Sequence, residues 1–302
     1  MDIEEKYKVL QVIVKGLGDA LVAYSGGVDS TLLLRACVDV LGPEHVLAFI
    51  AASETYPEKE VEAACGIANS LGVEYEVVRT TEMEDKAFLD NTKDRCYHCK
   101  LHLFDDALKM AEKRGFRNVL EGSNVDDQGD YRPGRKAIAE KKIRSPLLEA
   151  GLTKKEIRKI SEQLGLPTFD KPSLACLASR IPYGTRINER ILRMIERSEE
   201  FLTSLGIGQV RVRYHGGVAR VEVEEDDFNT VLDHKDEIVD TLRDFGFIYV
   251  TLDLKGYRAG SMNEVLCRTS MQGKRCKSGA RLGLLPHAAG TGPVFTRLAW
   301  PA

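Results

Sequence analysis

Three groups of residues in this chain have types and spacings that could do chemistry. Residues 24–30 read Tyr-Ser-Gly-Gly-Val-Asp-Ser, directly after the apolar run Ala20-Leu21-Val22-Ala23 and directly before the helical pattern Thr31-Leu32-Leu33-Leu34-Arg35. A buried strand running into a glycine turn that opens a helix is an anion cradle. Ser25, Gly26, Gly27 and Ser30 can aim backbone N–H and hydroxyl donors inward, the helix start adds partial positive charge, and glycine lets a phosphate approach the backbone. Pyrophosphate or the phosphates of a nucleotide are the natural ligands. No Gly-Lys-Ser/Thr follows, which argues against an ordinary phosphate-transferring P-loop. Asp29 fits least easily, because a carboxylate in an anion site must face Mg²⁺ or cap the helix.

The second group is made of thiols. Seven cysteines in a chain with cytosolic features point to metal, catalysis or burial rather than disulfides. Cys37 and Cys65 lie in amphipathic helical patterns and read as small buried hydrophobes, while Cys267 and Cys276 fall in an irregular C-terminal segment. That leaves Cys96, Cys99 and Cys176. Cys96-Tyr97-His98-Cys99-Lys100 is a Cys-x-x-Cys pair near a helix start, where the helix dipole favours thiolate. Alone it is half a zinc site, a redox pair or part of an iron–sulfur cluster, and the second Cys/His pair that zinc would want is missing. Cys176 sits far away, close to the basic residues Lys171 and Arg180. Three thiolates suit a cubane with one iron left open for an exogenous ligand such as hydrosulfide. Local sequence equally allows Cys176 to be packed among Leu174, Ala175 and Leu177.

The third group could recognise anions. Arg180, Arg211 and Arg213 carry guanidinium forks that match phosphate and carboxylate bidentately. Arg211 and Arg213 alternate on a predicted strand and share a face, which favours a common target or else a solvated sheet face. Glu200 and Glu222 are weaker candidates for a second metal or for positioning substrate.

Elements able to position these groups follow from periodicity. Strands at 20–24, 45–51, 74–79 and 118–121 alternate with helical patterns at 30–41, 57–71 and 98–114, which reads as βαβ units in a parallel sheet with helices on both faces. A cradle at the first strand–helix turn fits a ligand crevice at the strands' carboxyl ends. Residues 121–134 form a long polar loop, a length that in compact domains is usually functional. A capping box, Thr153 with Glu156, opens a helix at 153–165. Pro167, Pro172 and Pro182 punctuate a linker that also carries chemistry. Beyond it come a helix at 188–205, a hairpin of 209–214 and 218–224 around His215-Gly216-Gly217, a helix at 226–245 and a strand at 247–252. This order predicts a small α+β domain with an antiparallel sheet. The expected organisation is α/β: a nucleotide-binding domain over 1–170, a smaller α+β domain over 171–266, and a disordered tail over 267–302.

The chain of 302 residues is 43% apolar, enough for a sizeable core, and its net charge is −3. Its last 36 residues carry six Lys or Arg and no Asp or Glu, so the body before them is the more acidic part. An acidic body argues against a large nucleic-acid surface. No uncharged apolar run of about 18 residues occurs, and Met1-Asp2-Ile3-Glu4-Glu5-Lys6 is charged where a signal peptide would be apolar. A cytoplasmic protein with no membrane partner is expected.

Ser25-Gly-Gly-Val-Asp-Ser30 resembles the PP-loop of ATP pyrophosphatases, which cleave between the α and β phosphates and leave AMP on an acceptor. Further motifs sharpen the resemblance: Cys96-Tyr-His-Cys-Lys100, Glu121-Gly-Ser-Asn124, Asp127-x-x-Asp130-x-Arg132-Pro-Gly134, Ala175-Cys-Leu-Ala-Ser-Arg-Ile-Pro-Tyr-Gly184 and Gly256-Tyr-Arg-x-Gly-Ser-Met-Asn-Glu-Val-Leu266. Together they are similar to the LarE-type sulfur transferases of the PP-loop superfamily, from the N-terminus to Leu266. The resemblance implies a parallel-sheet PP-loop domain of the adenine nucleotide alpha hydrolase-like kind and a reaction in nickel-pincer nucleotide cofactor biosynthesis. ATP adenylylates a carboxylate of a pyridinium biscarboxylic acid mononucleotide, pyrophosphate leaves, and sulfur replaces the activated oxygen. ATP and Mg²⁺ would be held by Ala23, Ser25, Gly26, Gly27, Asp29, Ser30, Gly122, Ser123, Asp127 and Arg132. Arg211 and Arg213 would take the substrate's anions, and Cys176, Ser179 and Arg180 would act in catalysis. Some members sacrifice the cysteine matching Cys176, leaving dehydroalanine; others hold a 4Fe-4S cluster on three cysteines. Having Cys96 and Cys99 as well as Cys176, this chain looks like the cluster type, since a lone sacrificial cysteine needs no Cys-x-x-Cys. A homo-oligomer is expected from the resemblance, and the sulfur donor is left open.

Three other functions use the same cradle. A tRNA thiolation enzyme would need a basic groove or RNA-binding module; an ammonia-dependent amidotransferase or synthetase would leave the cysteines structural; a nucleotide-binding regulator would not turn over. Because the segment after Leu266 breaks every pattern, a chain ending at Leu266 should keep full AMP-forming activity. Loss of AMP release on truncation would instead make the basic tail part of the working protein.

Overall fold

The computed structural model describes residues 1–128, 133–172 and 175–264. The tail read at 267–302 lies outside them, as does Arg132. Met1–Met262 form one compact unit. Its first part runs α1 (Ile3–Lys15), β1 (Ala20–Ala23), α2 (Val28–Leu41), β2 (Val46–Ala52), α3 (Glu58–Ser70), β3 (Glu74–Arg79), the single turn α4 (Lys86–Leu89), α5 (Arg95–Arg114) and β4 (Val119–Leu120). Short helices α6 (Gly134–Glu140) and α7 (Pro146–Glu149) precede α8 (Lys154–Gln163).

The four strands form a parallel sheet in the order β3-β2-β1-β4. Leu21 stands beside Leu47 on one side and Val119 on the other. The two-residue period of a strand decides which core each side chain joins. Leu21, Leu47 and Phe49 meet Phe104, Ala107 and Ala111 of α5 on one face. Ala20, Val22, Val46, Ala48 and Ile50 meet Leu32, Leu33 and Cys37 of α2 and Ile157 of α8 on the other. Both faces are therefore covered, as a parallel sheet requires. The capping box of α8 is formed, with Glu156 also paired to Lys6 of α1 at 2.8 Å.

The remaining residues of this unit build a second sheet. After α9 (Glu189–Ser204) come β5 (Val210–His215), β6 (Val218–Val223), α10 (Phe228–Asp233), α11 (Lys235–Asp244) and β7 (Tyr249–Leu252). The hairpin β5–β6 is antiparallel, but β7 pairs parallel to β6, so the sheet is mixed rather than antiparallel. Two helices cross over between β6 and β7, which returns the chain in the same direction. The single helix expected at 226–245 is broken at His234, whose φ of −99° and ψ of 15° leave the helical region. Val212, Val221 and Val223 pack with Leu202 and Leu242 on one face of this sheet, leaving Arg211, Arg213, Arg220 and Glu222 on the other.

The proline-punctuated segment is not an open linker. Leu177, Ala178, Ile181 and Ile187 are buried with Phe88, Ile191 and Ile195, a core of its own between the two sheets. Asn91, fully buried, ties it down: its amide nitrogen donates to the carbonyls of Pro182 at 2.8 Å and Thr185 at 3.0 Å. Among the described residues no helix is long and apolar enough to cross a membrane.

Leu47 is fully buried against α5. Leu47→Ala should cost about 2–5 kcal/mol, read as a lower urea midpoint with an unchanged slope.

Candidate active site

The turn after β1 is shaped by one backbone requirement. Gly26 has φ +67°, and a Cβ there would lie 2.9 Å from the Cβ of Ala64 in α3. Gly27 is the N-cap of α2 and offers no side chain to its first amides, which are thus left for a ligand. Serine hydroxyls brace the turn: Ser30 Oγ donates to Gly27 O at 3.1 Å, accepts from Ser25 N at 3.3 Å and lies 3.1 Å from Ser25 Oγ. Gly122, after β4, closes the other wall; a Cβ there would come within 3.1 Å of Ser30 N. Ala23, Ser25, Gly26, Gly27, Ser30 and Gly122 are thus brought to one place. Beside Ser25 an apolar recess opens, walled by Ala23, Phe49, Ala51 and Leu103 and edged by Tyr56 and Glu60. It lies at the carboxyl ends of β1 and β2, the expected crevice of such a sheet.

Several polar residues here had no local signal in sequence. Asp29 neither caps α2 nor stands alone: Asn124 Nδ2 donates to it at 3.2 Å, and Lys154, at the start of α8, pairs with its other oxygen. Lys171 reaches back to Gly26 O at 3.1 Å and pairs with Glu60 at 2.6 Å. These lysines come from a helix and a loop more than a hundred residues away, which is why no motif announces them. Asp127 accepts from Asn124 N at 2.9 Å, bracing the 121–128 loop. Ser123 donates to the buried Glu121 through both N–H and hydroxyl, at 3.0 and 2.8 Å. Lys100, from the Cys-x-x-Cys motif, lies 3.5 Å from the same carboxylate.

The thiols meet. α5 starts at Arg95, three residues earlier than its periodicity suggests, so Cys96 and Cys99 sit in its first turns on one side. Cys99 and Cys176 both pack against the core around Leu177. Burial pushes the Cys99 thiol well above its ordinary value; Cys176, Glu82 and Cys96 add to the rise and a hydrogen bond with Tyr56 opposes it. Cys96 is exposed, yet the protein crowded around it also pushes its thiol up, Cys176 adding and Arg95 and Lys100 opposing. The helix dipole expected to favour thiolate is thus outweighed by desolvation and by thiol–thiol repulsion. Among the described residues no three His, Cys, Asp or Glu side chains form a group that could hold a single metal ion.

The Cys176 loop is fastened by Arg180, which is 1% exposed. Its guanidinium pairs with Glu199 through two contacts of 2.9 Å. Its remaining nitrogen donates to the carbonyls of Ala175 and Cys176 and to Ser179 Oγ, the latter two at 3.0 Å. Arg180 therefore positions Cys176, its donors being taken by protein. Arg213 pairs with Glu222 at 2.8 and 3.0 Å, and Arg220 reaches the other oxygen of Glu222 at 3.0 Å. Arg211 lies with its guanidinium carbon 5.5 Å from the centre of the Tyr257 ring, and burial, then repulsion from Arg180, lowers its pKa. Arg211 and Arg213 are only 6% and 5% exposed, so their face is not a solvated one. Glu200 pairs at the surface with Lys59 and joins neither centre.

The family model for NAD synthase matches residues 4–114. An uncharacterized protein of Synechocystis is 42% identical over 88% of this chain and all of its own length. The pyridinium-3,5-bisthiocarboxylic acid mononucleotide synthase of Lactiplantibacillus plantarum is 36% identical over 88% of this chain and 96% of its own. An uncharacterized protein of Methanocaldococcus jannaschii is 30% identical over 85% and 95%.

Gly26→Ala should cost about 1–3 kcal/mol from its left-handed backbone and displace α3 from the cradle. The measurement is nucleotide-dependent thermal stabilisation, expected to vanish in the variant.

Proposed function

Because this chain belongs to the LarE-type ATP-dependent sulfur transferases of the PP-loop superfamily, we propose that it thiolates a pyridinium biscarboxylic acid mononucleotide on the way to a nickel-pincer nucleotide. One observation carries the reading: Tyr56 edges the recess beside the phosphate turn, and its neighbour Thr55 accepts through its carbonyl from Leu177 N of the Cys176 loop at 2.9 Å. A nucleotide site and a sulfur site thus share a wall.

A carboxylate is a poor electrophile because oxide does not leave; converting it to an acyl-adenylate supplies AMP as the leaving group. The apolar recess suits the adenine, and the amides of α2's first turn with Ser25 and Ser30 suit the phosphates. Asp29 would hold Mg²⁺, which would offset phosphate charge when bound, and Lys154 beside it would add a second positive charge to the site. Arg211 and Arg213 would orient the substrate's anionic groups against Cys176, with Arg180 and Ser179 fixing that loop. In the transfer the carbon–sulfur bond forms as the carbon–oxygen bond to AMP breaks, with no change in oxidation state when sulfur arrives as hydrosulfide. Cys96, Cys99 and Cys176 would hold a 4Fe-4S cluster, whose open iron supplies a site for that sulfur when bound. The support is their shared neighbourhood; a cubane is wider than one ion and asks its thiolates to stand apart. Arg95 and Lys100 nearby would offset the thiolate charge. A synthetase using ammonia is less favoured because the ammonia-dependent NAD synthetase of Methanococcus aeolicus aligns with 53% of this chain, whereas the pyridinium-3,5-bisthiocarboxylic acid mononucleotide synthase aligns with 88%.

Given ATP, Mg²⁺ and the mononucleotide, the chain should release AMP and pyrophosphate and form a thiocarboxylate; absence of AMP with any pyridinium acid overturns the reading. Cys176→Ala should keep pyrophosphate release and lose thiocarboxylate. Iron and acid-labile sulfide after anaerobic purification, with an unchanged polypeptide mass after turnover, is expected for the cluster; loss of the mass of H₂S at Cys176 would mean self-sacrifice.

A further inference from the structure

Glu82 is 1% exposed, and among the described residues its hydrogen-bond partners are two hydroxyls. Its Oε1 accepts from Ser53 Oγ at 2.5 Å and from Thr55 Oγ1 at 3.0 Å. A buried carboxyl group is retained only where its hydrogen bonds are met, and here two hydroxyls from one turn meet them. Ser53 and Thr55 follow β2 directly, at the sheet's carboxyl edge. Their oxygens lie 2.9 Å apart, and Ser53 Oγ also accepts from Thr55 N at 3.2 Å. Tyr56 N donates to Ser53 O at 3.0 Å and closes the turn.

This turn carries two loads. Thr55, fully buried, uses its carbonyl to accept from Leu177 N at 2.9 Å. That bond hangs the Cys176 loop, one residue away, on the end of β2. The next residue, Tyr56, walls the recess beside Ser25. Any movement of the turn therefore moves Cys176 and the nucleotide wall relative to each other. By contrast, the phosphate turn has its own bracing through Ser25 and Ser30 and makes no bond to Glu82.

Resting on the sulfur-transferase reading above, we propose that Glu82 is a positioning residue for the sulfur-transfer step. By clamping Ser53 and Thr55 it fixes the turn that sets the thiol centre against the nucleotide pocket. Adenylylation takes its phosphate contacts from the separately braced turn at Ser25 and Ser30, so loosening one edge of the recess weakens it far less than it weakens attack by sulfur, which depends on placement within about an ångström.

The test uses the full chain with Glu82→Gln, Thr55→Val and Thr55→Ser, measuring pyrophosphate release and thiocarboxylate formation separately with ATP, Mg²⁺ and the mononucleotide. Glu82→Gln and Thr55→Val should slow thiocarboxylate formation about tenfold or more while pyrophosphate release stays within about twofold. Thr55→Ser, which keeps the hydroxyl, should behave as wild type. A parallel measurement needs no turnover: alkylation of Cys176 by iodoacetamide, followed by peptide mass and referenced to Cys65 on α3. The Cys176-to-Cys65 ratio should rise in the two damaging variants and return to the wild-type value in Thr55→Ser. Equal loss of both half-reactions, unchanged thiocarboxylate formation, or a Thr55→Ser defect as deep as that of Thr55→Val overturns the proposal. If the wild-type chain releases no pyrophosphate, the functional reading fails, and the alkylation ratio still decides whether Glu82 holds the thiol.

Discussion

The pairing of Arg180 with Glu199 is the interaction on which the rest of the site depends. It joins a helix of the C-terminal part to a loop that has almost no regular structure and yet must present a thiol. The guanidinium is 1% exposed and every nitrogen is matched: two face Glu199, and the third spans the carbonyls around Cys176. Glu199 also accepts from Val212 N at 2.9 Å, so the same carboxylate grips β5. Removing one partner of such a pair leaves the other desolvated and uncompensated, a cost of about 3–5 kcal/mol in buried pairs. Loop, helix and second sheet are consequently held in one frame.

Around that frame, charge is arranged in layers. The second sheet turns its valines toward one core and its arginines toward the site, with Arg211 opposite Glu222 and Arg213 opposite Arg220 across the β5–β6 ladder. Arg180, Arg211, Arg213, Arg220 and Arg258 stand among Glu199, Glu222 and Asp253. Burial and repulsion from Arg180 lower the pKa of Arg211 within this group. The phosphate turn contributes dipoles and amides instead of arginines.

Much of the first sheet was legible because its signals are local. Ala20–Ala23, the glycine turn and α2 are contiguous, and alternation within β1 and β2 already separates residues for the two faces. The Thr153–Glu156 capping box also forms as its spacing implies. Where partners are distant, local reading stops: β7 lies parallel to β6 because of a crossover, and the proline-rich segment is buried because Phe88 and α9 supply apolar surface for it. Lys154, Lys171, Tyr56 and Glu82 carry no motif. A lone lysine or glutamate is ambiguous until packing chooses what faces it.

What the amino-acid order determined by itself was chemistry of short range: a strand–turn–helix with unsatisfied amides, two thiols one helical turn apart, and arginines alternating along a strand. Such features follow from backbone geometry and side-chain period, which need no distant partner. Tertiary structure alone decided that Cys176 comes into the neighbourhood of Cys96 and Cys99, that burial raises the thiols of Cys96 and Cys99 against the helix dipole, and that the buried Arg180 spends its donors on Glu199 and the Cys176 loop. Those outcomes depend on burial and on long-range pairing, whose energies come from neighbours brought in by the fold.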